Sequence, residues 1–376
     1  MTSSIGTILS LLAAFQLFFV AVYLFTHQKG NKRNNRLLAI VFLLFAINLT
    51  DLTARISGII LPIPLLHLLD DGFFFLYGPL LYWYTQGVVY RDFKLTKTDS
   101  WHLVLFIVIT GLLIIQIIFT DLSEQTAIAQ NITSTDLPIW ISASGMFIYL
   151  HMLSYLWLSW ISLKKYQSVI RDKFSRIDEI NLGWLSFMIR TFSGITVVAM
   201  ISNIIPVFGN IYILYTSIVL LLVISLYFIN RVLVKALNQP AIFSGIERDE
   251  PERYASSTLD FNTIEGHKSQ LLALMESERP YLNPDLKSKD LADHLDLNQK
   301  VFSQVINQSF NQNFFDFINT YRCEEVKKIL QGPDEKITII EAMYQSGFNS
   351  KSSFNKEFKK LTGQTPSEFK KSLSTT

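Results

Sequence analysis

From the N-terminus to about residue 230 the chain is a succession of long apolar runs separated by short polar stretches. A hydrocarbon core about 30 Å thick needs roughly 20 mostly apolar residues in helix. Seven stretches meet that demand, at about 5–26, 37–57, 66–88, 101–120, 139–162, 183–206 and 210–230. Ile59–Leu69 can be assigned to the second or third of them, or to a short re-entrant piece. From Arg231 onward charge becomes frequent and apolar positions recur at three- and four-residue spacing, the signature of amphipathic helices. The pattern predicts three parts: a seven-span membrane domain over 1–238, a linker over 239–265, and a soluble helical domain over 266–376. Pro240, Gly245, Pro251 and the charge run Glu247–Glu250 mark the linker.

Basic residues fall on alternate loops. Lys29, Lys32, Arg33 and Arg36 follow the first stretch, and Arg91, Lys94 and Lys97 follow the third. Lys164, Lys165, Arg171, Lys173 and Arg176 follow the fifth, and Arg231 and Lys235 end the seventh. The intervening side has only Arg55, and residues 121–138 carry Asp121, Glu124 and Asp136 without a base. Basic loops stay cytoplasmic. The expected topology is therefore an inner-membrane protein with its N-terminus outside and its C-terminal domain in the cytoplasm. The first stretch is too long, and too poor in preceding bases, for a cleaved secretory signal.

The C-terminal domain reads as two copies of one motif. In the first, Leu286, Leu291, Ala292 and Leu295 form an apolar stripe, a turn follows at Asp296-Leu297, and Asn298 is an N-cap type. Phe302, Val305 and Ile306 then face inward, while Lys300, Ser303, Gln304 and Asn307 share the opposite face. In the second, Ile339, Ile340 and Met343 lead to the turn Gly347-Phe348-Asn349, the cap Ser350, and inward Phe354, Phe358 and Leu361. Its outward residues Ser352, Asn355, Lys356 and Lys359 each stand 52 positions after their counterparts. Such a recurrence is an internal repeat. Phe314, Phe317, Ile318 and Tyr321 begin a connecting helix that runs to about Leu330.

Composition sharpens this picture. Apolar residues are 49% of the chain and charged ones 17%, against roughly a quarter charged in a soluble domain. That excludes an ordinary soluble globule and a disordered chain. A single cysteine, Cys323, excludes an intrachain disulfide framework and a cysteine-cluster zinc site, and it reads as a small buried residue on the connecting helix. The net charge of +2 hides an uneven distribution. Residues 351–371 hold six lysines (351, 356, 359, 360, 370, 371) against Glu357 and Glu368, a net +4, whereas 286–310 balances three lysines against three aspartates.

A helix fits the DNA major groove, where polar side chains near its first turns reach base edges. Two such helices on a stiff connector can enter successive grooves, and the lysines attract phosphates. The two outward quartets, with Lys351, are the candidate DNA contacts: Lys300, Ser303, Gln304, Asn307, Lys351, Ser352, Asn355, Lys356 and Lys359. At these residues the chain resembles the C-terminal DNA-binding domain of AraC/XylS-type bacterial transcription regulators, from about His267 to Lys371. Gly347-Phe348-Asn349-Ser350-Lys351-Ser352-Ser353-Phe354, then Phe358-Lys359-Lys360, Gly363 and Thr365-Pro366-Ser367-Glu368-Phe369 carry most of the likeness. Asp290-Leu291-Ala292, Phe314-Phe317-Ile318-Asn319 and Tyr321-Arg322 support it, and Gly78-Pro79-Leu80-Leu81 is similar to a seven-span domain found fused to such regulators. The resemblance implies promoter DNA as partner and no cofactor. Three departures stand out: Asp296 where a glycine often opens the turn, Met343 where Ala is common, and no arginine on either reading helix.

Within the apolar half, Asp51, Arg55, His67, Asp70 and Asp71 gather near the outer ends of the second and third stretches. They read either as an interfacial ion-pair cluster or as a polar pocket for a signal ligand. No phosphate loop, zincin motif, nucleophile elbow or kinase signature occurs, so an enzyme is not expected. The expectation is an all-α protein, a seven-helix transmembrane bundle followed by a double helix-turn-helix domain. The expected role is a membrane-anchored transcription regulator, with the lipid bilayer, double-stranded promoter DNA, an unknown signal ligand and a second copy in a homodimer as candidate partners. The alternative is a membrane receptor or transporter whose tail docks a protein instead of DNA.

Overall fold

The computed structural model describes residues 2–27, 31–57, 65–131, 139–204, 211–237, 246, 260–334 and 336–373. Among them the named elements are all helical, and pairing of extended backbone is confined to two isolated bridges. The chain divides into two compact units, Met1–Leu163 with Leu182–Arg248, and Lys164–Asn181 with Asp249–Thr376.

In the first unit, α1 (Thr2–Thr26) packs on α2 (Lys32–Ile56) and α8 (Ile211–Leu237). Helix α3 (Leu65–Val89) joins α2 to α4 (Val104–Phe119), which a 3-10 turn at Lys97–Leu103 precedes, and α7 (Gly183–Ser202) packs on α8. Aromatic rings fill the interior: Phe45 stacks on Tyr77 with centroids 3.9 Å apart, and Phe192 meets Phe228 edge-on at 4.8 Å. Some interior polar groups are bonded across helices. Thr53 Oγ1 donates to Ser10 Oγ at 2.7 Å, and Gln86 Nε2 to Ser162 Oγ at 2.8 Å. Large apolar side chains also face outward, with Phe15, Phe18 and Phe19 of α1 and Ile107, Ile118 and Phe119 of α4 all exposed.

Five segments of the described residues are long and apolar enough to cross a membrane: Ile5–Thr26, Lys32–Ala54, Lys97–Phe119, Gly145–Lys173 and Gly183–Ser202. Thr216–Arg231 is a shorter apolar helix. The expected seven is thus not reached on this measure, although α3 and α8 are helices at the third and seventh places. Two other differences are local. A short α5 (Leu122–Asn131) occupies the acidic stretch read as a loop. Helix α6 (Ile139–Lys173) continues eleven residues past its expected end at 162. Leu163, Tyr166, Val169 and Ile170 explain the extension, because they are buried at helical spacing while Lys164 and Lys165 stay exposed.

The second unit is built on helices α9 (Phe261–Ser277), α10 (Ser288–His294), α11 (Gln299–Phe310), α12 (Phe314–Leu330), α13 (Ile339–Gln345), α14 (Lys351–Thr362) and α15 (Pro366–Leu373). It has two hydrophobic cores. Leu271, Met275, Leu291, Phe302 and Ile306 pack with Phe314, Phe317 and Ile318 of α12. Ala342, Met343, Phe348, Phe354 and Phe358 pack with Cys323, Val326 and Leu330 of the same helix. One connecting helix therefore supplies a wall to both cores, its N-terminal half to the first and its C-terminal half to the second.

Truncating Phe358, fully buried in the second core, should cost about 3–5 kcal/mol of unfolding free energy, whereas Ile340→Ala at an exposed site should change it by less than about 0.5 kcal/mol. Urea titration followed by limited proteolysis of the C-terminal region checks both. Burial pushes the Cys323 thiol up to about 12, so the thiolate is scarce at neutral pH. A maleimide should label native protein slowly at pH 7.5 and label it rapidly once urea unfolds the second core.

Candidate nucleic-acid interface

Each reading helix follows a short helix and a tight turn. In the first unit, Asp296 takes a left-handed backbone with φ 56°, so the departure from glycine at this turn is accommodated by the residue's own tolerance for that region. Asn298 then caps α11, its Oδ1 accepting from Val301 N at 2.9 Å. In the second unit Gly347 makes the turn with φ 88°. A side chain there would meet the carbonyl oxygens of Tyr281 and Leu282, so only glycine fits both the angle and the space. Ser350 caps α14, accepting from Ser353 N at 3.3 Å.

The 52-residue register extends beyond the reading helices. Asn311 and Gly363 both end their helix in left-handed conformation, with φ 51° and 78°. Asn313 then caps α12 through Asp316 N, and Thr365, 52 positions later, accepts from Glu368 N at 3.3 Å. The two units thus share caps, inward aromatics and helix ends.

Their outer faces differ. On α14, Lys351, Ser352, Asn355, Lys356, Lys359 and Lys360 are all exposed, bringing five of the sequence-chosen residues onto one open surface. On α11, Asn307 is exposed and Lys300 and Gln304 are half-buried, but Ser303 is only 5% exposed. Its hydroxyl has no hydrogen-bond partner among the described residues. Ser303 adjoins the packed Phe302 on a helix flanked by α9 and α10, which draws the position inward. Its counterpart Asn355 stays in the open. Gln299, one residue past the cap, donates from Nε2 to Ser288 Oγ at 2.6 Å and ties α11 to α10.

The charge on α14 is partly neutralised from within. Buried Glu357, 2% exposed, lies 3.9 Å from Lys356 Nζ and 3.7 Å from Lys360 Nζ. Lys360 also reaches Asp316 on α12 at 2.8 Å. Lys370 donates to the Ile337 carbonyl, a bond within the fold that the sequence alone did not suggest. Thr338 and Glu341 form a reciprocal cap on α13, and the same bonds hold the Glu341 carboxyl below the usual range. Glu368 is lowered in the same way by Thr365.

Arg322 was not among the chosen residues. It is 2% exposed on the connecting helix, with Nε donating to Tyr281 O at 2.8 Å and Nη2 to Asn283 O at 2.7 Å. The signal was available: residues 318, 322 and 326 fall on the buried stripe, and an arginine in that row needs acceptors. In the first unit, Asp51 is 9% exposed, while the side chains of Arg55, His67, Asp70 and Asp71 lie outside the described residues. No group of three or more metal-ligand residues occurs among the described residues.

Residues 291–372 match the family described as Helix-turn-helix domain. An uncharacterised HTH-type transcriptional regulator of Staphylococcus aureus (strain COL) is 33% identical over 90 residues, which are 24% of this chain and 12% of that protein. The Msm operon regulatory protein of Streptococcus mutans is 28% identical over 88 residues, 23% of this chain and 31% of that one. The chain therefore spans only a minor part of the curated relatives it matches, and no solved structure matches it. What is shared is the reading domain: the C-terminal part of this chain is a helix-turn-helix DNA-binding domain of the kind carried by transcriptional regulators.

Proposed function

We propose that the chain is a membrane-anchored, sequence-specific transcription regulator whose double helix-turn-helix domain binds promoter DNA from the cytoplasmic face of the membrane. The observation that carries this reading is the pair of capped reading helices in 52-residue register, one of them presenting four exposed lysines beside Ser352 and Asn355. Lys351, Lys356 and Lys359 supply phosphate contacts, and Ser352 and Asn355 read base edges. On the first reading helix Lys300, Gln304 and Asn307 take these roles and Ser303 serves packing. A signal sensed in the apolar half changes the reader's geometry, and pairing of two chains on the membrane raises affinity through effective concentration.

Membrane anchoring draws support from composition and from the makeup of the second unit. Lys164–Asn181 belongs to the same compact unit as Asp249–Thr376. Two parts of one folded unit must lie on the same side of a membrane. The two apolar helices between them, α7 and α8, satisfy this by crossing out and back, and the bases of 164–176 then make that side the cytoplasm.

In detergent-purified full-length protein, Lys356→Ala and Lys359→Ala should each weaken binding to DNA from the region upstream of the chain's own gene. Each should also reduce the slope of log affinity against log salt by about one. Fluorescence anisotropy across a salt series reads both, and an unaltered slope in both variants removes these lysines from the interface. Asn355→Ala should relax preference at one base position by about 1–3 kcal/mol, as measured on single-base operator variants. A reporter active only in the cytoplasm, fused after Thr376, should be active, and the same reporter inserted within residues 121–138 should be silent.

A further inference from the structure

The second unit contains a strap. Residues Arg171–Ile177 leave the end of α6 and lie against the turn 281–287 and the start of α12. Backbone and side chain both take part. Ser175 N donates to Leu286 O at 3.2 Å, Ser175 Oγ donates to the same carbonyl at 2.7 Å, and Phe174 pairs with Lys287 in an antiparallel bridge. Two ion pairs flank the contact, Arg176 with Asp285 at 3.2 Å and Arg171 with Asp316 at 3.8 Å. The Arg171 guanidinium also stands over the Phe315 ring, 5.1 Å from its centroid.

Arg322 is the centre of this contact. Its Nη1 donates to Ser175 O at 3.2 Å and its Nη2 to Ser175 Oγ at 3.1 Å, in addition to the carbonyls of Tyr281 and Asn283. No carboxylate touches it in these bonds, and burial pulls the guanidinium down to about 10. Among the described residues, the acceptor for Nη1 is on the strap. The same guanidinium stands 5.8 Å from the ring centroid of Phe348, in the turn of the second helix-turn-helix. Gly347 of that turn sits against the carbonyls of Tyr281 and Leu282. One buried cation therefore touches the strap, the segment before the first motif, and the turn of the second.

We infer that the reading domain carries a docking groove for the chain's own segment Arg171–Ile177, and that occupancy of this groove sets the packing between the two helix-turn-helix motifs. Docked, the strap completes the bonding of Arg322 and holds 281–286 against the Gly347 turn. Released, it leaves a buried guanidinium with unmet donors, an expensive condition that the neighbouring turn must relax to relieve. The occupant is the continuation of α6, an unbroken helix from Ile139 to Lys173. A rotation or axial shift of that helix pulls on Ser175 directly, a route to the reader separate from the 239–265 linker. Asp316 places the second reading helix within reach of the same event, since it pairs with both Arg171 of the strap and Lys360 of α14. The strap builds on the DNA-reading assignment in what it regulates, but its readouts use no DNA, so loss of DNA binding and loss of the strap are separate results.

Two measurements on the full chain test it. Opposed residues in an antiparallel pair have Cα atoms about 4.5–5.5 Å apart, inside the range of about 4.4–6.8 Å that a disulfide spans. The Phe174→Cys/Lys287→Cys protein, oxidised in native membranes, should close an intrachain disulfide in most molecules, while Ser168→Cys/Lys287→Cys should close none. Absence of the first bond overturns docking, and a bond that links two chains instead overturns the assignment of the strap to its own reader. Hydrogen exchange then reads transmission. Ser175→Val, which removes the hydroxyl, and separately Arg171→Glu, which sets a like charge against Asp316, should each speed amide exchange at 281–288 and at 346–350 by at least tenfold. Closing the disulfide should slow both segments. Acceleration confined to 281–288 would overturn the coupling to the second motif.

Discussion

The DNA-reading half of this protein depends on one helix with two working faces. Phe314, Phe317 and Ile318 complete the first core and Cys323, Val326 and Leu330 the second. Each motif contributes two short helices, and both pack their apolar side chains on this one helix. The shared wall ties the spacing of the reading helices to the geometry of one continuous helix. Arg322 lies between the two apolar sets, where a cation has no place unless acceptors converge on it. Carbonyls of 281 and 283 and the strap's Ser175 provide them. The joint between the motifs is thus polar, whereas each motif's own core is apolar.

The repeat was the most legible feature of the sequence, for a physical reason. Caps, turns and inward aromatics are local requirements, met by residue types at fixed spacing, and a second copy doubles the signal. Asn298, Ser350, Phe302 and Phe354 all occupy the places their types imply. Asp296 shows that a departure can be absorbed, since its left-handed backbone does the work of the missing glycine. Ser303 shows where local pattern misleads. A polar residue opposite an apolar stripe reads as exposed, but the packing of α9 and α10 beside α11 widens the buried arc. Helical periodicity cannot report how wide that arc is, because the neighbours that set it are remote in sequence.

Two features had weaker signals. The extension of α6 to Lys173 was masked by its charge: Lys164, Lys165, Arg171 and Lys173 look like a loop in a hydropathy reading, while Tyr166, Val169 and Ile170 keep helical spacing beneath them. The number of apolar spans is judged on length and hydropathy together, and α3 and α8 are helices that fall outside the five segments meeting both among the described residues. The contact between the strap and the turn before the first motif left no trace in the sequence. Ser175 and Leu286 are 111 positions apart, and nothing in the types Ser and Leu announces that one donates to the other's carbonyl.

On the membrane-anchored reading proposed above, these contacts bear on how such a chain addresses DNA. A reader on a flexible tether gains proximity but no geometry, since a freely coiling chain transmits tension poorly. A second attachment changes the mechanics. With the strap seated, the reader is held at its own midpoint, on the helix that sets the spacing of its two motifs, instead of at its end. A displacement of an angstrom or two in α6 then arrives where it has most leverage. Interfaces of packed side chains shift between discrete arrangements and do not deform smoothly. The polar joint at Arg322, with its bonds divided between the strap and the reader, has the makeup of such an element.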